Sequence, residues 1–354
     1  MSLIKYGSVG FVQWDGRENE EINFRPLFTG KLPTELGIRV VMSVKSKVKL
    51  NFFGVLQKVL MPYTKGFQGG VLAPKLQKIL TLSEFKAEAS FDKHDYKDMI
   101  YDEITNRGGT YQNDIEGTPV INAERKVFFD AVRDDVVRNF WLGDIDKLHT
   151  TAGTYPDGTT FAIGDPDKYY NQQDGVIAKL MNDSSTTAVP GTDNKVLKIV
   201  MPTTLVADSA ETTMNTMFRK APKVLTRLRD KGALRFYATS GFMENYEDTL
   251  RAGDLESSRT AKIDGISRFT FNGITILPLD IDGYLAADFP AAFPKEFCIL
   301  TVPENLCLVL NSNSKFSETR FWFNPDENEN RQRTQFEFGA DYILPELVVI
   351  SYKA

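Results

Sequence analysis

The side chains with the most chemistry to offer are scattered along this sequence. His94 and His149 lie far apart, and neither falls in a His-Glu-x-x-His pattern or beside a cysteine. A zinc site or an activated base needs such neighbours, so each histidine reads as a surface or helix-end residue. Asp326, Asn328, Asn330 and Glu337 stand at positions one, three, five and twelve of a calcium-loop spacing. Position six, however, is Arg331 where the turn needs glycine, and strand-like sequence flanks the run, so a polar β-turn is the better reading. Asp165 with Asp167, and Asp280 with Asp282 beside Gly283, read as acidic turns, and no convergent carboxylate pair for hydrolysis emerges. Phosphate-cradling glycine loops, a Gly-x-Ser-x-Gly elbow and Cys-x-x-Cys are absent from the sequence. No catalytic residue, cofactor or metal is expected.

Lysines carry the remaining signal. In the run from Val44 to Leu50, Lys45, Lys47 and Lys49 alternate with mostly apolar residues and so share one face of a strand. That face has two readings: it meets an acidic patch on an adjacent subunit, or it is simply solvated.

Composition narrows the class. The chain has 354 residues, 42% hydrophobic and 25% charged, as an ordinary globular protein has, with a net charge of -5. A protein that coats nucleic acid by itself carries a basic surplus, which is missing here. Cys298 and Cys307 fall in strand-like sequence. Their spacing leaves pairing open, but two cysteines in so long a chain point to a reducing compartment. The first residues lack the basic start and apolar run of a signal peptide, and no apolar stretch is long enough to span a membrane. Cytoplasmic synthesis is expected.

Several elements would position these groups. Glycines, prolines and acids break up the first ~40 residues, which read either as a frayed end or as an extended arm. Scattered aromatics, among them Trp14, Phe24 and Phe28, favour an arm that buries them against a neighbour. The lysine strand and a second alternating run, Phe85 to Phe91, frame a Gly/Pro-punctuated segment and suggest a long two-stranded excursion. Asp92 to Gly108 reads as a short helix. The spacing predicts a long helix from Thr118 to Gly143, with Pro119 at the first helical position and a stripe through Val127, Ala131 and Trp141 widened by Phe128, Val132 and Phe140. Residues 150–195 read as loop-rich, followed by a strand from Val196. Asp208 is placed to cap a second helix, with a break expected at Pro222. Phe269 to Ile276 around Asn272-Gly273 is a hairpin signature. From Phe297 onward the chain is strand-dominated.

This order of elements resembles the Hong Kong 97 fold of tailed-phage major capsid proteins. Two stretches strengthen the likeness: the Phe269–Pro278 hairpin followed by Phe297–Leu306, and the ending Phe336–Tyr342 into Leu344–Val348. The resemblance implies an α+β chain. Its parts would be an N-terminal arm (1–42), an extended β loop (43–92), a peripheral domain (93–200 and 306–354) with its spine helix at 118–143, and an axial α/β domain (201–305). It implies a structural protein, not an enzyme, that self-assembles as pentamers and hexamers into an icosahedral shell around double-stranded DNA. The DNA would be contacted weakly and without sequence specificity. The shell would assemble in the host bacterial cytoplasm and persist as the virion capsid. Trp14, Phe24, Phe28, Lys45, Lys47 and Lys49 are the candidate inter-subunit contacts. No hundred-residue N-terminal scaffolding region is visible, so a separate scaffold protein is expected, with portal and decoration proteins as further partners. No lysine–asparagine cross-linking pair can be assigned. A bacterial nanocompartment shell, another virion component and an unrecognised hydrolase are the rival readings.

Overall fold

The computed structural model describes residues 35–43, 47–53, 65–66, 75–92, 119–189, 195–253, 260–263, 266–311, 318–324, 326–327 and 329–353. Strands β1 (Arg39–Ser43), β2 (Lys47–Phe53), β3 (Lys75–Thr81) and β4 (Ser83–Asp92) come first. Helix α1 (Pro119–Leu142) leads into a lobe holding β5 (Gly153–Thr154), β6 (Thr160–Phe161), α2 (Val176–Asn182) and β7 (Ser184–Ser185). A mixed stretch follows: β8 (Val196–Met201), α3 (Ser209–Lys220), α4 (Lys223–Thr226), β9 (Arg235–Ala238) and α5 (Ser240–Ala252). It continues with β10 (Thr260–Ile263), β11 (Ile266–Phe271), β12 (Ile274–Pro278) and α6 (Asp282–Asp288). Strands close the chain: β13 (Phe297–Thr301), β14 (Leu306–Asn311), β15 (Glu318–Asn324), β16 (Glu329–Tyr342) and β17 (Val348–Lys353).

Two sheets organise these elements. The larger has the order β10-β11-β12-β9-β13-β17-β8-β7. Its central strands β13 and β17 are almost continuously apolar, as strands covered on both faces must be. Alternation sorts their side chains. Phe236, Ala238, Ile276, Cys298, Leu300 and Val349 face α3 and α5, joining Met214, Met217 and Phe242. Tyr237, Leu277, Ile299 and Ile350 face the other way, into a core shared with α1 and the second sheet.

In that second sheet β16 is the long central strand. β14 pairs with its C-terminal half and β15 with its N-terminal half, β4 runs along its opposite edge, and β1 lies parallel to β14. Phe85, Phe336 and Phe338 stack on the face toward α1, with centroids 4.2 Å apart for Phe85 and Phe338.

The expected long helix and the Asn272-Gly273 hairpin are both present. Asn272 and Gly273 sit at φ 50° and 77°, the left-handed pair that a two-residue turn requires. The apolar stripe of α1 is rotated from the expected one: Phe128, Val132, Val136 and Phe140 are buried at four-residue spacing, while Val127 is 46% exposed and Ala131 is exposed. α3 stops before Pro222, as expected, but Asp208 makes no side-chain cap. Asn245 of α5 takes that role, accepting from the Ala210 N–H (3.0 Å) and donating to the Val206 carbonyl (2.9 Å). Of the predicted helix from Asp92 to Gly108 only Asp92 is described, as the last residue of β4; the rest lies outside the described residues.

One strand pairs elsewhere than the sequence placed it. The partner of β2 is β3, not the Phe85–Phe91 run, because that run belongs to β4 and pairs with β16. β8 and β17 are neighbours inside the larger sheet, where β17 also pairs with β13.

Helix α1 ends against the start of α2 through two glycines. The Gly175 N–H donates to the Gly143 carbonyl at 2.8 Å, and a Cβ at Gly175 would stand 2.8 Å from Asn139 O, Phe140 O and Gly143 N. Both helix ends are backbone and cannot yield like a side chain. Gly175→Ala is therefore expected to cost about 2 kcal/mol, read as a lowered urea midpoint at unchanged slope.

Candidate assembly interface

β2 and β3 form an antiparallel ribbon with Lys47 opposite Thr81, Lys49 opposite Ile79 and Asn51 opposite Gln77. All six side chains share one exposed face, and Gln77 Nε2 donates to Asn51 Oδ1 at 3.0 Å. The opposite face carries Val48, Leu50 and fully buried Leu80. It packs on Cys307, Val309 and Ile343, on the side of the second sheet away from α1. An isolated two-stranded ribbon is marginal in water, and this apolar underside supplies the missing support. The outward face then presents two ammonium groups on β2 beside Ile79, which lies opposite Lys49 and is 48% exposed. Lys47 and Lys49 are thus brought together on open surface, whereas Trp14, Phe24, Phe28 and Lys45 lie outside the described residues.

The ribbon's root is closely built. β3 and β4 are one run of chain interrupted only at Leu82, where the backbone leaves β16 and turns onto the ribbon. Gly339 of β16 permits this, because a Cβ there would lie 2.3 Å from the Thr81 carbonyl oxygen. Beyond the bend, Lys78 Nζ reaches Asp341 Oδ1 at 3.2 Å and lies 4.4 Å over the Tyr342 ring.

The groups weighed as chemistry are used for packing. His149 Nε2 lies 2.6 Å from the Tyr155 hydroxyl, and its ring stacks on Phe161 with centroids 3.8 Å apart. Asp165 accepts from the Ala162 N–H and Asp167 from the Tyr169 N–H, as acidic turns do. Asp282 accepts from the N–H and hydroxyl of Ser240 and so caps α5. The calcium-like spacing does not converge: Asn330 donates to Glu124, while Glu337 accepts from Asn311 in the interior. His94 and Asn328 lie outside the described residues. Among the described residues, no group of three or more His, Cys, Asp or Glu is placed to hold a metal ion. Cys298 and Cys307 are free and buried, and burial pushes both thiols up, Cys307 to about 11.

Three buried charged groups were not legible in the sequence. Lys147 pairs with Asp167 at 3.0 Å and sits 3.2 Å over the Tyr170 ring, while Tyr170 donates to Asp288; together they pin the lobe to α6. Burial pulls the Lys147 ammonium below its usual range, and the Asp167 carboxylate opposes that. Glu124 of α1 is buried against β16 with the neutral Asn330 amide at 3.3 Å, and burial raises its carboxyl to about 7. Asp341 is the third. Only the tertiary fold brings their partners together, so no local spacing signals them.

No protein-family model matches the chain, and no curated protein matches it in sequence. Solved structures do match in fold. A chain of the satellite phage P4 procapsid with its size determination protein is similar over 99% of this chain and 94% of its own, at 10% identity and a TM-score of 0.57. A chain from the capsid of an empty GTA particle is similar over 99% of this chain and 96% of its own, at 10% identity and a TM-score of 0.50. The likeness runs nearly end to end, and it shows the fold: an α+β chain of the Hong Kong 97 kind, as found in capsid shells. Among the described residues, no helix is long and apolar enough to cross a membrane.

Proposed function

We propose that this chain is a major capsid protein of a tailed bacterial virus, a structural rather than catalytic protein that closes with copies of itself into an icosahedral shell around double-stranded DNA. The observation that carries this reading is the near end-to-end fold likeness to a procapsid chain. Pentamers and hexamers of this chain form the shell. The larger sheet with α3 and α5 serves as the axial domain, α1 with the second sheet as the peripheral domain, the β2–β3 ribbon as the extended loop, and the N-terminal residues as the arm. Lys47 and Lys49, exposed beside Ile79, support a role for the ribbon's outer face against a neighbouring copy. Trp14, Phe24, Phe28 and Lys45 join them as proposed contacts. Interfaces of this obligate kind commonly bury more than about 2,000 Å² in total. A separate scaffold, a portal and decoration proteins complete the partners. With a net charge of -5 the wall holds DNA loosely and without sequence preference. Assembly takes place in the host cytoplasm and the product is the virion capsid.

The test is sedimentation of the chain expressed with and without its neighbouring viral genes. A fast, homogeneous particle in either case supports the reading. A Lys47→Glu, Lys49→Glu double variant is expected to stay in the slow fraction while keeping its circular dichroism. If the chain sediments as a monomer under both conditions, the shell reading fails.

A further inference from the structure

β4 accompanies β16 only as far as Phe338, so the edge from Gly339 to Tyr342 is left to other groups. Asp341 on this stretch is 6% exposed, yet it meets two ammonium groups from different elements. Lys78 of the ribbon approaches Oδ1 at 3.2 Å, and Lys179 of α2 approaches Oδ2 at 3.1 Å. Lys179 also donates to the Ala340 carbonyl at 2.6 Å. Next to it, Tyr342 donates to Asp183 at the end of α2. Ser184 of β7 lies 3.0 Å from the Tyr352 hydroxyl of β17, and β7 pairs with β8 in the larger sheet.

We infer that Asp341 is a double anchor, tying the root of the ribbon and helix α2 to the same strand end, so that the ribbon's angle is fixed at its root. The physical reason is that a carboxylate so far from water needs counter-charge. Each lysine gains from Asp341 in surroundings where screening is weak, so losing the carboxylate releases both elements at once. Leu80, fully buried two residues along from Lys78, holds the same root by packing. Lys78 and Leu80 thus clamp one face of the chain segment while Lys47 and Lys49, on the other strand, point outward. The ribbon is therefore held by a built root and is not loosely tethered there. α2 shares that anchor and leads into β7 of the larger sheet. The anchor is a property of one subunit and stands whether or not the chain builds shells.

Hydrogen exchange on dissociated subunits tests it. Asp341→Asn is expected to speed exchange roughly tenfold or more in both Gln77–Leu80 and Val176–Asn182, with protection of β13 unchanged. Lys78→Met is expected to speed the ribbon segment to a similar extent while leaving α2 close to wild type. Acceleration in only one of the two segments in Asp341→Asn, or in neither, overturns the double anchor. If Asp341→Asn loses protection in β13 as well, Lys78→Met decides. Faster ribbon exchange with β13 intact supports the anchor, and unchanged ribbon exchange overturns it.

Discussion

Replacing Gly339 with alanine will unseat the ribbon. The new Cβ would stand 2.3 Å from the Thr81 carbonyl oxygen and 3.5 Å from the Leu82 Cα. Thr81 has little room to retreat. On one side it is held opposite Lys47 in the ribbon, and on the other Ser83 is already paired with Phe338 of β16. Gly339 itself is fixed opposite Val309 in the middle of the sheet. The methyl group therefore forces two strands apart or bends β16, at an expected cost of about 3 kcal/mol. Urea denaturation at matched pH measures it. In the ordered variant, exchange should quicken first in Val48–Leu50 and Gln77–Leu80, the residues that lose their seat on Cys307, Val309 and Ile343. A loss under about 0.5 kcal/mol, the scale of an ordinary surface change, would show that the bend at Leu82 adapts freely.

A second large effect is set by pH. Glu124 sits in the interface between α1 and β16, and burial holds its carboxyl up to about 7 against the smaller opposing pulls of the Asn330 amide and the Arg125 charge. In the unfolded chain the same group titrates near its ordinary value of 4.5. Between those two values the folded protein holds the extra proton, so stability falls as pH rises. The contribution is fully present below about 4.5, is lost by about 7 and changes little above that. The size follows from about 1.4 kcal/mol per pH step of one, giving about 3 kcal/mol across the window. Glu296 is also raised by burial and bends the curve in the same direction. Comparing wild type with Glu124→Gln isolates the one residue. The variant is expected to lose most of this slope and to be the more stable chain at pH 8. Parallel stability curves for the two chains would contradict the assignment.

How much of this was legible depended on the range of the interaction. α1, the Asn272-Gly273 hairpin and the break at Pro222 announce themselves within a few residues, because cap, turn and proline effects are local. The buried runs of β13, β14 and β17 were legible for a similar reason, since unbroken apolar sequence of strand length has few other uses. Residues 75–92 were harder. Alternation shows that this run is extended, but not that it changes partner at Leu82 from β2 to β16. That exchange depends on Gly339, more than 250 positions later. Helix α2 was missed because it has only seven residues, opens on Gly175 without a side-chain cap and lies among turns. At the proposed interface, the outward face of Lys47 and Lys49 could be found by counting in twos. Asp341, Glu124 and the Lys147–Asp167 pair could not, because the sequence holds only half of each interaction in any one place.

Negative-stain electron microscopy of the high-speed pellet from cells producing this chain tests the central claim most directly, first alone and then with the neighbouring viral genes. Closed shells, or sheets and tubes of hexagonal rings, are the expected result. A dispersed monomer under both conditions would contradict the proposed shell-building function.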